Sequence, residues 1–246
     1  MSRKILVTGA AGRIGSFFIA QFKDQYDFIL TDMRAPAETY GFPFTESNIT
    51  DAAALRDLAH GVDTIIHLAA DIRTSAPWDS LLPNNFVGTY NVYEAARETG
   101  CRRVVFASTI NVMTGYPEDQ LNIRPDMPIR PGNLYGSSKA WAEAAGSMYA
   151  DKHDLSVICL RFGWVIPRDP QVARLNPTLW NMVLTLPDCV QLIQRSVEAP
   201  DSLKFGIFHG VSDNREKRLD ISTSREVLGF DPQDDGFALG EAGQQG

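Results

Sequence analysis

The chain has 246 residues, 44% of them apolar, and its 30 acidic against 23 basic side chains leave a net charge of −7. That length supports one globular domain or one and a half, with a sizeable core. The acidic balance, without any Lys/Arg run, excludes nucleic acid and anionic lipid as electrostatic partners. No apolar stretch reaches the roughly 18 residues of a membrane span, and the chain enters a strand-like KILVTG with no signal-peptide layout, so a soluble, cytoplasmic protein is expected. Cys101, Cys159 and Cys189 form no CxxC pair and sit among apolar residues, which reads as buried free thiols rather than a metal site.

Short β-branched runs alternate with longer amphipathic stretches to about residue 161, the pattern of βαβ units around a parallel sheet. Strands are predicted at Lys4–Thr8, Phe28–Thr31, around Phe44, and at Thr64–His67, Arg103–Ala107 and Ser156–Arg161. A late strand is predicted at Lys204–His209. One helix follows Asp51 as N-cap, a long one runs from about Trp78 to Glu98 before Gly100, and another spans about Leu134–Lys152. The expected fold is α/β: a Rossmann-type doubly wound parallel sheet over residues 1–161. Beyond Arg161, prolines at 167, 170, 177, 187 and 200 punctuate the chain, so 162–230 reads as a small carboxyl-terminal substrate cap plus the late strand. The polar, Gly-rich segment 231–246 reads as a flexible tail.

After the first strand comes Thr8-Gly9-Ala10-Ala11-Gly12-Arg13-Ile14-Gly15, a GxxGxxG spacing that opens a helix. Gly9 suits the tight turn, Gly12 the approach of a pyrophosphate to backbone, and Gly15 a close helix–strand contact. The helix N-terminus offers N–H groups and partial positive charge to phosphate. Asp32, closing the second strand, can accept from both ribose hydroxyls and repels a 2′-phosphate, which favours NAD, while nearby Arg34 keeps NADP open. Asn48 and Ile49 are candidates for the adenine edge. Leu68, Ala69 and Ala70 put small or apolar residues where the chain passes under the cofactor.

Tyr135-Gly136-Ser137-Ser138-Lys139 places a phenol and an ammonium on one helix face. A nearby ammonium lowers a phenol's pKa and makes Tyr135 a usable base, and Lys139 can also hold a ribose hydroxyl. Thr109, at the end of the strand carrying Phe106-Ala107-Ser108-Thr109, is the candidate to orient the substrate oxygen, with Ser108 in reserve. Asn85 is a candidate anchor of a backbone or water link toward Lys139.

Taken in order, the TGxxGxxG, HLAA, NxxGT and YxxxK elements resemble the extended short-chain dehydrogenase/reductases of the NAD-dependent epimerase/dehydratase type, over about residues 3–200. Within that superfamily, Asn91–Arg97, Val105–Thr109 and Leu134–Lys139 look most like uronate dehydrogenases, which oxidise the anomeric carbon of a hexuronate to an aldarolactone with NAD. The resemblance implies an oxidoreductase acting on a small sugar acid. The short stretch after Arg161 agrees, because it can enclose only something small. A carboxylate calls for a bidentate guanidinium, and the resemblance puts Arg174 of the cap in that role. Arg73, Thr74, Ser75 and Asn111 are further substrate candidates. The uronate enzymes continue the strand-end motif with Ser-Asn-His, whereas Ser108-Thr109 is followed here by Ile110-Asn111-Val112. An epimerase or dehydratase that recycles its NAD, a neutral aldose dehydrogenase and an NAD(P)-sensing binding protein are the alternatives. The helices at 78–98 and 134–152 imply a homo-oligomer of the kind the superfamily uses.

Overall fold

A computed structural model describes residues 2–245. In chain order the strands are β1 (Lys4–Thr8), β2 (Asp27–Asp32), β3 (Phe44–Glu46), β4 (Thr64–His67), β5 (Arg103–Thr109) and β6 (Ser156–Phe162), then β7 (Trp164–Ile166), β8 (Val183–Thr185) and β9 (Phe205–Gly210). Seven of them form a parallel sheet in the order β3-β2-β1-β4-β5-β6-β9, and β7 and β8 pair separately. The late strand therefore belongs to the main sheet, beside β6.

Alternation along each strand decides which helices cover which face. Ile5, Val7, Val105, Ile158 and Leu160 point to one side, where they meet α1 (Arg13–Phe22), α7 (Leu186–Val197) and α8 (Ser222–Leu228). Leu6, Val104, Phe106, Val157 and Cys159 point to the other, against α2 (Ala52–Ala59), α4 (Gly88–Thr99) and α5 (Leu134–His153). Both faces are buried, which explains why the strands read as continuous apolar runs. All three cysteines are buried and free. Arg103 is fully buried because it donates to the carbonyls of Ser196, Val197 and Ala199 at the end of α7, where orphan acceptors and the negative dipole end collect.

The Asp51 side chain caps α2 through the Ala54 N–H at 3.0 Å, and Gly100 ends α4 in the left-handed region at φ 72°. The long helix expected from Trp78 is interrupted. A short α3 (Trp78–Leu81) gives way to one π-helical turn at Leu82–Val87, where the Gly88 N–H reaches back five residues to the Pro83 carbonyl. Pro83, with no N–H of its own, sits at the start of that turn.

The flexible tail expected from Asp231 is corrected by the structure. Gly236–Gln245 form a helix, α9, whose Gly236, Gly240 and Gly243 are buried. A Cβ at Gly240 would lie 2.0 Å from the Trp180 ring and one at Gly243 2.1 Å from the Pro170 carbonyl. The glycines are there for contact with the cap, formed by β7, β8, α6 (Pro170–Ala173) and a 3₁₀ segment at Pro177–Met182. The lead-in loop is pinned by Asp188, which accepts the Gln233 and Asp234 N–H groups at 2.9 and 3.2 Å, and by the Arg168–Asp234 ion pair. Among the described residues, no helix is long and apolar enough to cross a membrane.

Candidate active site

At the carboxyl edge of the sheet lies a cavity of about 640 Å³. Its floor is the turn after β1. The Gly9 and Ala10 N–H groups donate to the Thr31 carbonyl, Gly9 takes φ +76°, and a Cβ on Gly9 would meet the Ala69 nitrogen at 2.8 Å. A Cβ on Gly15 would stand 2.4 Å from the Gly9 carbonyl, so α1 starts directly on the turn. This cradle, free of side-chain bulk at the N-terminus of α1, fits a dinucleotide diphosphate. Asp32 accepts the Ala11 N–H at 3.0 Å, which fixes its carboxylate beside the turn.

Gly9, Gly12, Arg13, Ile14, Gly15 and Asp32 all line the cavity. So do Asn48, Ile49, Leu68, Ala69 and Ala70, and at the far end Ser108, Thr109, Asn111, Tyr135 and Lys139. Apart from Asn85, the residues singled out for cofactor and for chemistry thus share one space.

A hydrogen-bonded chain builds the far end. Thr109 Oγ1 accepts from the Asn111 N–H and from its amide at 3.0 Å, Asn111 Oδ1 accepts from the Asn133 amide at 2.8 Å, and Asn133 Oδ1 caps α5 through the Gly136 N–H. A Cβ on Gly136 would lie 2.3 Å from the Asn111 carbonyl, so the first turn of α5, with Tyr135, is laid directly on the end of β5. Ser108 turns away from this chain and donates to Glu143, which is held by a buried ion pair with Arg161 at 2.7 Å.

Burial sets the protonation of the two central groups. The Lys139 side chain is 3% exposed, its Nζ 4.6 Å from the Phe106 ring centroid and 5.9 Å from that of Tyr135, and desolvation lowers its pKa to about 7. Desolvation pushes the Tyr135 phenol up to about 12, against a hydrogen bond from Thr109 that pulls it down, and the Asp71 carboxylate adds to the rise. Burial thus moves the phenol in the direction opposite to the lowering expected from Lys139.

Five expected residues, Arg73, Thr74, Ser75, Asn85 and Arg174, lie outside the cavity lining. Asn85 is buried and ties the loop after β4 to α5, accepting the Asp71 N–H at 2.9 Å and donating to the Asp71 carbonyl and to Ser138 at 3.0 Å. Arg73 is 64% exposed and paired with Asp71, Ser75 is exposed, and Arg174 points toward α9, donating to the Gly243 carbonyl at 3.4 Å. Residues without a sequence signal also line the site: Phe162, Gly163, Trp164 and Val165 form one wall, Ile72 and Asn84 part of another. No motif marks them, because the bend after β6 that brings them in depends on the packing of Gly163 against the Met182 carbonyl.

Comparison with known proteins agrees with this arrangement. Residues 5–190 match the NAD dependent epimerase/dehydratase family. An NAD-dependent glucose-6-phosphate dehydrogenase of Haloferax volcanii is 36% identical over 95% of this chain and 94% of its own. The uronate dehydrogenase of Pseudomonas putida is 34% identical over 94% of this chain and 84% of its own. The solved structure of a mutant uronate dehydrogenase from Agrobacterium tumefaciens complexed with NAD superposes with a TM-score of 0.86 at 30% identity, covering 100% of this chain and 90% of that one. With its glycine turn, the Asp32 carboxylate beside it and the buried Tyr/Lys pair, the chain belongs to the NAD-dependent epimerase/dehydratase family and is an NAD-dependent oxidoreductase acting on CH–OH.

Proposed function

We propose that the chain oxidises the anomeric carbon of a small cyclic sugar acid, a hexuronate, to its aldarolactone. The observation that carries this reading is the convergence of Tyr135, Thr109 and Lys139 on the cavity that also holds the glycine turn and Asp32. Bound NAD supplies the acceptor for the hydride leaving C1. Tyr135, as the phenolate that the Lys139 ammonium favours, takes the C1 hydroxyl proton and becomes the phenol, Thr109 holds that oxygen, and Lys139 also holds a ribose hydroxyl. Asn111 keeps Thr109 aimed, through the amide it donates to Oγ1. The uronate dehydrogenase relatives support the acid as substrate.

A neutral aldose is the second reading, and two observations favour it. Arg174 does not line the cavity, and the strand-end segment Ser108–Val112 carries no histidine, which the uronate pattern has there. The test is NADH absorbance with glucuronate, galacturonate, glucose and galactose. Turnover with the acids alone supports the first reading, turnover with the neutral sugars alone replaces it by the second, and no NADH from any of them overturns both. Tyr135→Phe is expected to lower turnover on the active sugar about 10²- to 10⁴-fold while NAD still binds; near-normal turnover would remove Tyr135 from the base role. We propose in addition that copies associate through the face of α4 and α5, which carries exposed Tyr90, Trp141 and Met148.

A further inference from the structure

An asparagine amide carries an acceptor at one end and donors at the other, so the pair Asn111 and Asn133 beside Thr109 can run in two senses. The Gly136 N–H at the start of α5 removes that choice. A backbone nitrogen can only donate, and this one lies 2.8 Å from Asn133 Oδ1. Asn133 must therefore turn Nδ2 toward Asn111, donating to its Oδ1 at 2.8 Å, and Asn111 in turn presents Nδ2 to Thr109 Oγ1 at 3.0 Å. The Asn111 backbone N–H reaches the same oxygen at 3.2 Å.

A hydroxyl has two acceptor lone pairs and one proton to give. Both lone pairs of Thr109 meet donors, so what it has left for the cavity is its proton. Without sugar that proton serves Tyr135, whose phenol is pulled down by the hydrogen bond from Thr109 against the effect of burial and of the Asp71 carboxylate. During oxidation of a CH–OH group, negative charge grows on the substrate oxygen as its proton leaves for Tyr135. A hydroxyl already held as a donor stabilises that charge more than it stabilises the bound alcohol, and its own proton stays on Oγ1 throughout. In the opposite sense Asn111 would offer Oδ1, Thr109 would spend its proton there, and the substrate oxygen would face a lone pair.

We propose that Asn133 is a positioning residue for the reaction: it passes the fixed polarity of the α5 N-terminus through Asn111 to Thr109 and so keeps Thr109 a hydrogen-bond donor toward the substrate oxygen. Asn133 does not line the cavity, whereas Asn111 and Thr109 do. Its two tasks are separable, because Oδ1 caps the helix and Nδ2 carries the polarity. The proposal rests on Thr109 holding the reacting oxygen and is indifferent to which sugar carries that oxygen.

Asn133→Ser keeps a helix cap of about equal strength but has no amide to give Asn111. It is expected to melt within about 2 °C of the wild type and to lower kcat about 10- to 30-fold, with KM changed less than about threefold, on the sugar that gives most NADH. A double-mutant cycle with Thr109→Ala separates positioning from a structural role. Thr109→Ala alone should lower kcat about 10²-fold or more, and adding Asn133→Ser to it should cost less than about twofold, because no hydroxyl remains to be aimed. Near-normal turnover in Asn133→Ser, or costs that multiply in the double variant, overturns the proposal and leaves the role of Thr109 standing; near-normal turnover in Thr109→Ala overturns both. Asn111→Ala removes the middle of the chain while the cap stays in place, and it serves as the second variant, with the same coupling expected. A readout that needs no sugar is hydrogen exchange at the Asn111 side-chain amide by NMR, slow in the wild type and fast in Asn133→Ser. Equal rates in the two proteins overturn the chain itself.

Discussion

Lys139 is destabilising where it stands, and the sign of that cost can be worked out. Its folded pKa is about 7, against 10.5 for the free side chain. Between those values the unfolded chain binds the proton that the folded one has lost, so stability rises with pH across that window. Below pH 7 both states are protonated, and the folded protein carries the full penalty of a buried ammonium, at about 1.4 kcal/mol per unit of pKa difference. Replacing Lys139 by Met is therefore expected to raise the Tm at pH 6, with a gain that shrinks toward pH 10, while turnover collapses. A Tm lowered at pH 6 would show that the ammonium's contacts with the Phe106 and Tyr135 rings outweigh its desolvation. That Lys139 shares a cavity wall with Tyr135 was legible in the sequence because the Tyr-x-x-x-Lys spacing is local to one helix. The direction in which its neighbour's pKa moves was not, since burial depends on β5 and the loop after β4, far away in the chain.

At the scale of elements, β5, α5 and β6 are fastened beneath the site by one buried polar group set. Glu143 accepts from Ser108 of β5 at 2.5 Å and from Arg161 of β6 at 2.8 and 2.7 Å, and Arg161 also donates to the Pro125 carbonyl at 3.2 Å. A buried pair of this kind contributes little net stability while intact but is costly to break from one side. Glu143→Gln leaves the Arg161 guanidinium uncompensated and should lower the unfolding free energy by about 3–5 kcal/mol, measured by urea titration. A loss under 1 kcal/mol would mean that the amide and water satisfy Arg161. The strands and the capped helices around this set could be read from periodicity, turn glycines and cap residues. The last helix could not. Its ALGEAGQQ composition reads as a disordered tail until the spacing of Gly236, Gly240 and Gly243 is seen as one helical face meeting Trp180 and Pro170. That misreading carries into the site, because the cap's orientation, and with it the direction of Arg174, is set by packing against α9.

For the whole molecule, one group of exposed apolar side chains stands together on α3, α4 and α5. Trp78, Val87, Tyr90, Trp141 and Met148 are each between 38% and 51% exposed, and Trp78, Phe86 and Trp141 form a row with ring centroids 5.4 and 5.1 Å apart. Beside them Tyr90, Trp141, Met148 and Tyr149 frame a hollow of about 390 Å³. A chain with net charge −7 disperses itself by repulsion, so an uncharged aromatic strip on α4 and α5 is informative. Two copies related by a two-fold axis would bring like residues together and bury the strip on both at once. The expected mass by light scattering is therefore twice the chain's 27.2 kDa. Trp141→Glu combined with Met148→Glu should shift that mass to the monomer, since two carboxylates per copy would face their equivalents in a dry interface. A wild-type protein that remains monomeric at tens of micromolar would leave the strip without a second copy to cover it. A dimer unaffected by the double substitution would move the interface to another face. Because α5 carries Tyr135 and Lys139 at its start and Trp141 and Met148 farther along, the separated monomer should also melt at lower temperature, and the comparison of its Tm with its turnover would show whether the partner helices stiffen the catalytic turn or only the helix beyond it.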